Sequence, residues 1–300
     1  PGIVDMLLNG LPGVAAGLLL GWSPLAAVLL GGATWVSSSG VVSKVLSDLH
    51  RLGFRETPAI LNLLVIEDLA MAVYLPVVAA LIVGGTVVAT LTSVAIALVV
   101  VTIILLSALF YGRKLSDLLI GGSDESLLLA VFGVTLLVAG IAQQLEVSGA
   151  IGAFLVGLAL SGQAEKRAIQ LITPLRDLFA AIFFLFFSFQ VDPAKLLDAL
   201  LPAFGLAVVT AFTKMLTGWF AAKRVGAAQK GRLRAGATLI ARGEFSIVIA
   251  ALGAGLIEGP ELGALVAGYV LVTAIMGPLA AKYANNIKLP TRKKNQPVPA

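Results

Sequence analysis

Long aliphatic runs, each closed by a short polar or glycine-containing stretch, set the rhythm of the chain. Ten can be marked off, at about 5–21, 24–43, 58–83, 87–111, 126–143, 147–161, 177–190, 196–221, 235–256 and 262–281. Each is long enough, or nearly so, to cross a hydrocarbon core of about 30 Å. The runs lack strand alternation and the dyad pattern of an outer-membrane barrel, so they predict helices. The fold class expected is an all-α polytopic membrane protein of about ten transmembrane helices.

Composition agrees. With 59% hydrophobic and 12% charged residues and a mean hydropathy of +1.01, the chain is far more apolar than a soluble domain. Cysteine is absent, which removes disulfides and thiolate metal sites from consideration. The chain opens at Pro1 with no initiator Met or signal-like region, which reads as a segment lacking its N-terminus.

The bases test the helix count independently. Lys44, Arg51 and Arg55 follow the second run, Arg113 and Lys114 the fourth, and Lys166, Arg167 and Arg176 the sixth. Lys223, Arg224, Lys230, Arg232 and Arg234 follow the eighth, and Lys282, Lys288, Arg292, Lys293 and Lys294 the tenth. Eighteen of the 21 Lys and Arg residues thus fall on alternate connections, which the positive-inside rule makes cytoplasmic. The net charge of +5 is therefore a topology signal and calls for no nucleic-acid partner.

Ionisable residues inside the runs are few: Glu67, Asp68, Lys214, Arg242 and Glu244, with Asp5 marginal at the start of the first. Asp68 lies about 15 Å into the third run, at 1.5 Å per residue, close to the midplane. Lys214, Arg242 and Glu244 come to similar depths from their own ends. A carboxylate at the bilayer centre costs about 2.5–3.5 kcal/mol on insertion scales, so acids and bases in one layer are expected to supply each other's partners. Glu67 and Asp68 are neighbours about 100° apart on a helix and must face different surroundings.

Two runs carry polar interruptions. "TWVSSSG" places Thr34, Ser37, Ser38 and Ser39 in the second, and "ARGEFS" interrupts the ninth. Unwound backbone at membrane depth survives only inside protein or along a cavity, and paired broken helices point to a secondary transporter with an inverted repeat. Gly13, Gly17 and Gly21 in the first run read as helix-packing residues.

These stretches resemble the membrane domain of a monovalent cation:proton antiporter, and within that superfamily the Kef-type branch, the cation:proton antiporter-2 family. "VIED" is similar to the family's paired acidic motif, "AFTKMLTGW" to its lysine-bearing helix, "RGEF" and "TWVSSSGVV" to its two broken helices, and "FFLFFSFQVDP" to its phenylalanine-rich segment, with Gln190 where glycine is common. The resemblance implies exchange of Na+ or K+ for protons by alternating access, with no cofactor and no enzymatic reaction. It makes Asp68 the principal carrier and transient cation ligand, Glu67 a second carboxylate in place of the commoner Asp, Asn or Gln, and Lys214 their counter-charge. Thr34 and Ser37 to Ser39 are expected to line the site, and Arg242 and Glu244 to form a fixed ion pair at the crossing. It also implies a transporter domain over 1–284 without the family's first two or three helices, a basic cytoplasmic tail over 285–300, a homodimer in the complete protein, and a bacterial inner membrane.

A cation channel and a sodium-coupled symporter of related fold are the alternatives. A buried lysine opposes the channel by raising the barrier to cations. An intramembrane protease is disfavoured because the deep acids include one Asp and His50, the sole histidine, falls in a loop.

Overall fold

The computed structural model describes residues 2–83, 122–144, 162–190 and 193–287, with scattered positions between 88 and 110 and between 153 and 160. Among these the elements are α1 (Gly2–Leu19), α2 (Pro24–Trp35), α3 (Ser39–Asp48), α4 (Thr57–Val83), α5 (Asp124–Gln144), α6 (Gly162–Gln190), α7 (Pro193–Arg224), α8 (Gln229–Thr238), α9 (Glu244–Leu252), a 3-10 turn (Gly253–Gly255) and α10 (Gly259–Tyr283). Six spans among the described residues are long and apolar enough to cross a membrane: α1, α2 with α3, α4, α5, α7 and α10. The protein is an integral, multi-pass membrane protein of all-helical build among those residues. Leu19, Val65, Leu137 and Leu201 are among the many large aliphatic side chains left exposed on the helices, which suits contact with lipid.

Helix ends run past the apolar runs where polar residues suit a terminus. Asp124 and Glu125 occupy the first turn of α5, and Lys223 and Arg224 the last turn of α7, each sign opposing the helix dipole. Expected segment 177–190 is the second half of α6, whose first half carries Glu165, Lys166, Arg167 and Arg176. The expected runs 87–111 and 147–161 fall largely outside the described residues, as do Arg113, Lys114, the side chain of Gln190 and the tail from 288.

The first helix packs on α2 through its glycines. A Cβ on Gly13 would lie 2.6 Å from the Leu30 carbonyl, and one on Gly17 2.7 Å from Ala27 Cα, so neither position accepts a larger residue at this spacing. Gly21 has another role. Its φ is +78° with open space around it, and the bonds from Gly21 N to Leu18 O and Trp22 N to Gly17 O, both 3.0 Å, form a Schellman end to α1.

Ser23 then caps α2, its hydroxyl accepting from Ala26 N at 3.4 Å with Pro24 next in line. Its own amide donates to Glu258 Oε1 at 2.8 Å, which ties this turn to the start of α10 and holds the Glu258 carboxyl below the usual range. At the opposite end the loop between α3 and α4 is fastened twice. Arg51 Nη1 donates to Ala281 O at 2.8 Å, and Glu56 pairs with Arg234 of α8 at 2.6 Å.

The main apolar core lies between these ends, around Leu29, Leu30, Met71, Leu75, Ile249 and Val266. It holds α2, α4, α9 and α10 together around the two interrupted helices.

Candidate functional site

Where α2 stops, the chain leaves the helix at Val36 to Ser38 before α3 begins; where α8 stops, a turn at Leu239 and Ile240 leads into non-helical backbone over 241–243 before α9. The breaks cross. Ser38 N donates to Ala241 O at 2.9 Å, and Ser37 Oγ to Leu239 O at 3.1 Å.

Breaking two helices inside an apolar core exposes carbonyls at their C-ends and amides at their N-ends, each of which needs a partner. Arg242, fully buried, takes the first task. Its Nε donates to Thr34 O of α2 at 3.0 Å, and Nη1 to Leu239 O and Ile240 O of the α8 end at 3.0 and 2.8 Å. One guanidinium therefore caps two half-helices at their negative ends. Glu244 takes the second, standing in the first turn of α9 and accepting from Ser38 Oγ at 3.0 Å, while Ser38 Oγ also caps α3 by accepting from Val41 N at 3.3 Å. The expected ion pair between Arg242 and Glu244 is thus corrected: no bridge joins them among the described residues, because each charge already answers a helix terminus of opposite sign.

Three further charges meet beside this crossing, where Glu67 touches Ser37. Lys214 of α7, with no exposed surface, places Nζ 2.7 Å from Glu67 Oε1 and 2.8 Å from both carboxylate oxygens of Asp5. Glu67 also accepts from the Ser37 amide and, at 3.4 Å, from its hydroxyl. Asp5 is held further by Asn9 Nδ2 at 2.9 Å and Trp35 Nε1 at 3.1 Å, and Thr213 Oγ1 donates to Asn9 Oδ1 at 2.7 Å. Counter-charge and carboxylate are brought together as the sequence suggests, but the lysine's partners are Glu67 and Asp5.

Asp68 points elsewhere. It is partly exposed, its Oδ1 is buried without a hydrogen-bond partner among the described residues, and the charges that act on it are those of Glu67 and Glu244. Of the hydroxyl residues, Ser37 and Ser38 border the acids, whereas Thr34 turns to α1 and donates to Asn9 O at 2.9 Å. Ser39 opens α3.

A carboxylate with an unused buried oxygen, next to a lysine-bound acid at the crossing of two broken helices, can hold either a proton or a hard cation. Residues 2–282 match the family model described as sodium/hydrogen exchanger, transmembrane. The chain belongs to that family. The exchanger is 36% identical over 289 residues to the K(+)/H(+) antiporter subunit KhtU of Bacillus subtilis, covering 95% of this chain and 71% of the relative. It is 30% identical to the ammonium/H(+) antiporter subunit AmhT of Alkalihalophilus pseudofirmus, over 95% of this chain and 73% of the relative. To the high-affinity Na(+)/H(+) antiporter NhaS3 of Synechocystis it is 27% identical, over 94% and 63%.

The residue that sequence reasoning undervalued is Asp5. Its signal was present: Asp5, Asn9, Gly13 and Gly17 recur every fourth position, and all four are buried on the face of α1.

Proposed function

We propose that this exchanger moves a monovalent cation, Na+ or K+, against protons by alternating access, with Asp68 as the group that carries either ion. The family match and the antiporter relatives support cation:proton exchange. The observation that carries the assignment to Asp68 is its buried Oδ1, unmatched by any donor among the described residues, while Glu67 beside it is fully engaged.

Competition for one carboxylate gives coupling. Removal from water favours the neutral, protonated acid, and a bound cation favours the ionised one, so the two cargoes exclude each other. Glu67 is a second carboxylate beside the carrier, and Lys214 a counter-charge that stays buried. Ser37 and Ser38 lend oxygens close to the acids. Arg242 and Glu244 keep the two breaks together while the core bundle moves against the remaining helices, in an inverted-repeat arrangement of about ten spans. The complete protein is proposed to form a homodimer in a bacterial plasma membrane, with residues 285–300 as a cytoplasmic tail.

Reconstituted vesicles carrying an internal pH-sensitive dye test this reading. Addition of Na+ or K+ should drive proton movement with the intact protein and none with Asp68→Asn.

A further inference from the structure

We propose that the groove between α1, α4 and α7, at the basic end of α7, holds an anionic phospholipid, with its phosphate on Lys223 and Arg224 and an acyl chain along the groove. This goes beyond the exchange reading and does not depend on it.

The three helices pack against one another and leave a cavity of about 400 Å³, within the range of about 300–1,000 Å³ usual for small-molecule pockets. Its walls are apolar. Val4 of α1 and Phe220 of α7, both about half exposed, flank Leu63 of α4, which is buried. Thr217 also lines it, seven residues before Arg224 and so about 10 Å deeper along α7 at 1.5 Å per residue. Lys223 and Arg224 complete the lining in the last turn of α7, where the positive-inside rule puts the cytoplasmic boundary. An apolar slot that runs inward from two bases at headgroup level has the shape and charge order of a phospholipid.

The two bases are available to a ligand. No acid lines the groove, and Asp5, next in sequence to Val4, is turned to Lys214. Among the described residues the ion pairs engage Lys44, Arg167, Arg176, Lys214 and Arg234, and none reaches Lys223 or Arg224. Helix capping does not use them either. The end of α7 turns at Gly226, φ +73°, where Gly226 N donates to Lys223 O and Ala227 N to Ala222 O, both at 3.0 Å. Arg55 Nε donates to Val225 O at 3.1 Å. The carbonyls of Ala222, Lys223 and Val225 thus have donors without the side chain of Lys223 or Arg224, and Arg55 brings a third positive charge beside them.

The same charges select among lipids. Adjacent bases match the two free oxygens of a phosphodiester, and a guanidinium can take both in a forked contact. A zwitterionic lipid brings a cationic group to the same bases, so a lipid of net negative charge is preferred.

The test is native mass spectrometry of the full chain in mild detergent, given equal amounts of phosphatidylglycerol and phosphatidylcholine of distinguishable mass. Wild type should retain one phosphatidylglycerol in preference. Lys223→Gln/Arg224→Gln should weaken that binding by more than tenfold, at about fivefold for each base removed. Ala221→Trp, which fills the groove from α7, should weaken it likewise. Should Ala221→Trp fail to fold, Phe220→Gln at the half-exposed wall takes its place. Lys44→Gln/Lys282→Gln removes equal charge elsewhere on the same side and should leave the binding intact. Equal retention of the two lipids, or equal loss in both double variants, overturns the proposal. So does displacement of the lipid by glycerol phosphate alone, which marks a free-phosphate site, or a dimer that excludes the lipid, which marks a second copy in the groove.

Discussion

Ser38 and Ala241 meet backbone to backbone: the amide of Ser38 donates to the carbonyl of Ala241 at 2.9 Å, joining the break after α2 to the break after α8. Close packing around this bond comes from Gly243, where a Cβ would lie 2.7 Å from Ser38 Cβ and closer still to its hydroxyl. Gly243→Ala should therefore force the breaks apart at a cost of about 1–3 kcal/mol. Thermal unfolding followed by tryptophan fluorescence checks it, and an unchanged melting temperature contradicts the packing described.

Arg242 and Glu244 should behave as two caps, not as a pair. Arg242→Ala leaves the Ile240 carbonyl without its side-chain donor and strips one donor from each of the Thr34 and Leu239 carbonyls, and should cost about 1–3 kcal/mol for each buried group left unmatched. Adding Glu244→Ala should lower stability further, since the glutamate supports α9 and Ser38. Recovery of stability in the double variant, measured by the same melt, restores the ion-pair reading.

Lys214→Ala strands Asp5 and Glu67 together. Loss of one partner from a buried ion pair costs about 3–5 kcal/mol. Without the ammonium the acids hold protons more tightly, so a cation displaces them only when protons are scarcer, and the optimum for exchange moves to higher pH. Flux measured across a pH series reads the direction, and an unchanged optimum removes Lys214 from the charge balance.

Orientation follows from the clustered bases. A cysteine in place of Leu52, 59% exposed in the loop between α3 and α4, should react with an impermeant maleimide only from the cytoplasm. One in place of Ile257, 96% exposed before α10, should react only from outside. The opposite labelling inverts the topology.

Much of this was legible in the residues. The third run, 58–83, is α4 at Thr57–Val83, and the tenth, 262–281, is α10 at Gly259–Tyr283, because unbroken aliphatic stretches leave a chain in lipid little but a helix. Both interruptions are real breaks. What sequence distance hid was depth across helices: Asp5 looked peripheral when counted from the start of its run, yet the glycine face of α1 carries it against α2 and α7 to Lys214. The duty of Arg242 was hidden for a different reason. Adjacent opposite charges suggest a pair, and only the location of the two helix ends shows that carbonyls compete for the guanidinium.

One measurement tests the carrier role proposed for Asp68 most directly. Asp68→Asn keeps the shape and hydrogen-bonding capacity of the side chain but can neither bind nor release a proton near neutral pH. Cation-driven proton flux is compared with wild type in proteoliposomes at equal protein content, after confirming matched melting temperatures. Flux should fall to the level of empty vesicles in the folded variant. Proton-coupled cation flux that persists in Asp68→Asn contradicts the assignment and moves the carrier role to Glu67.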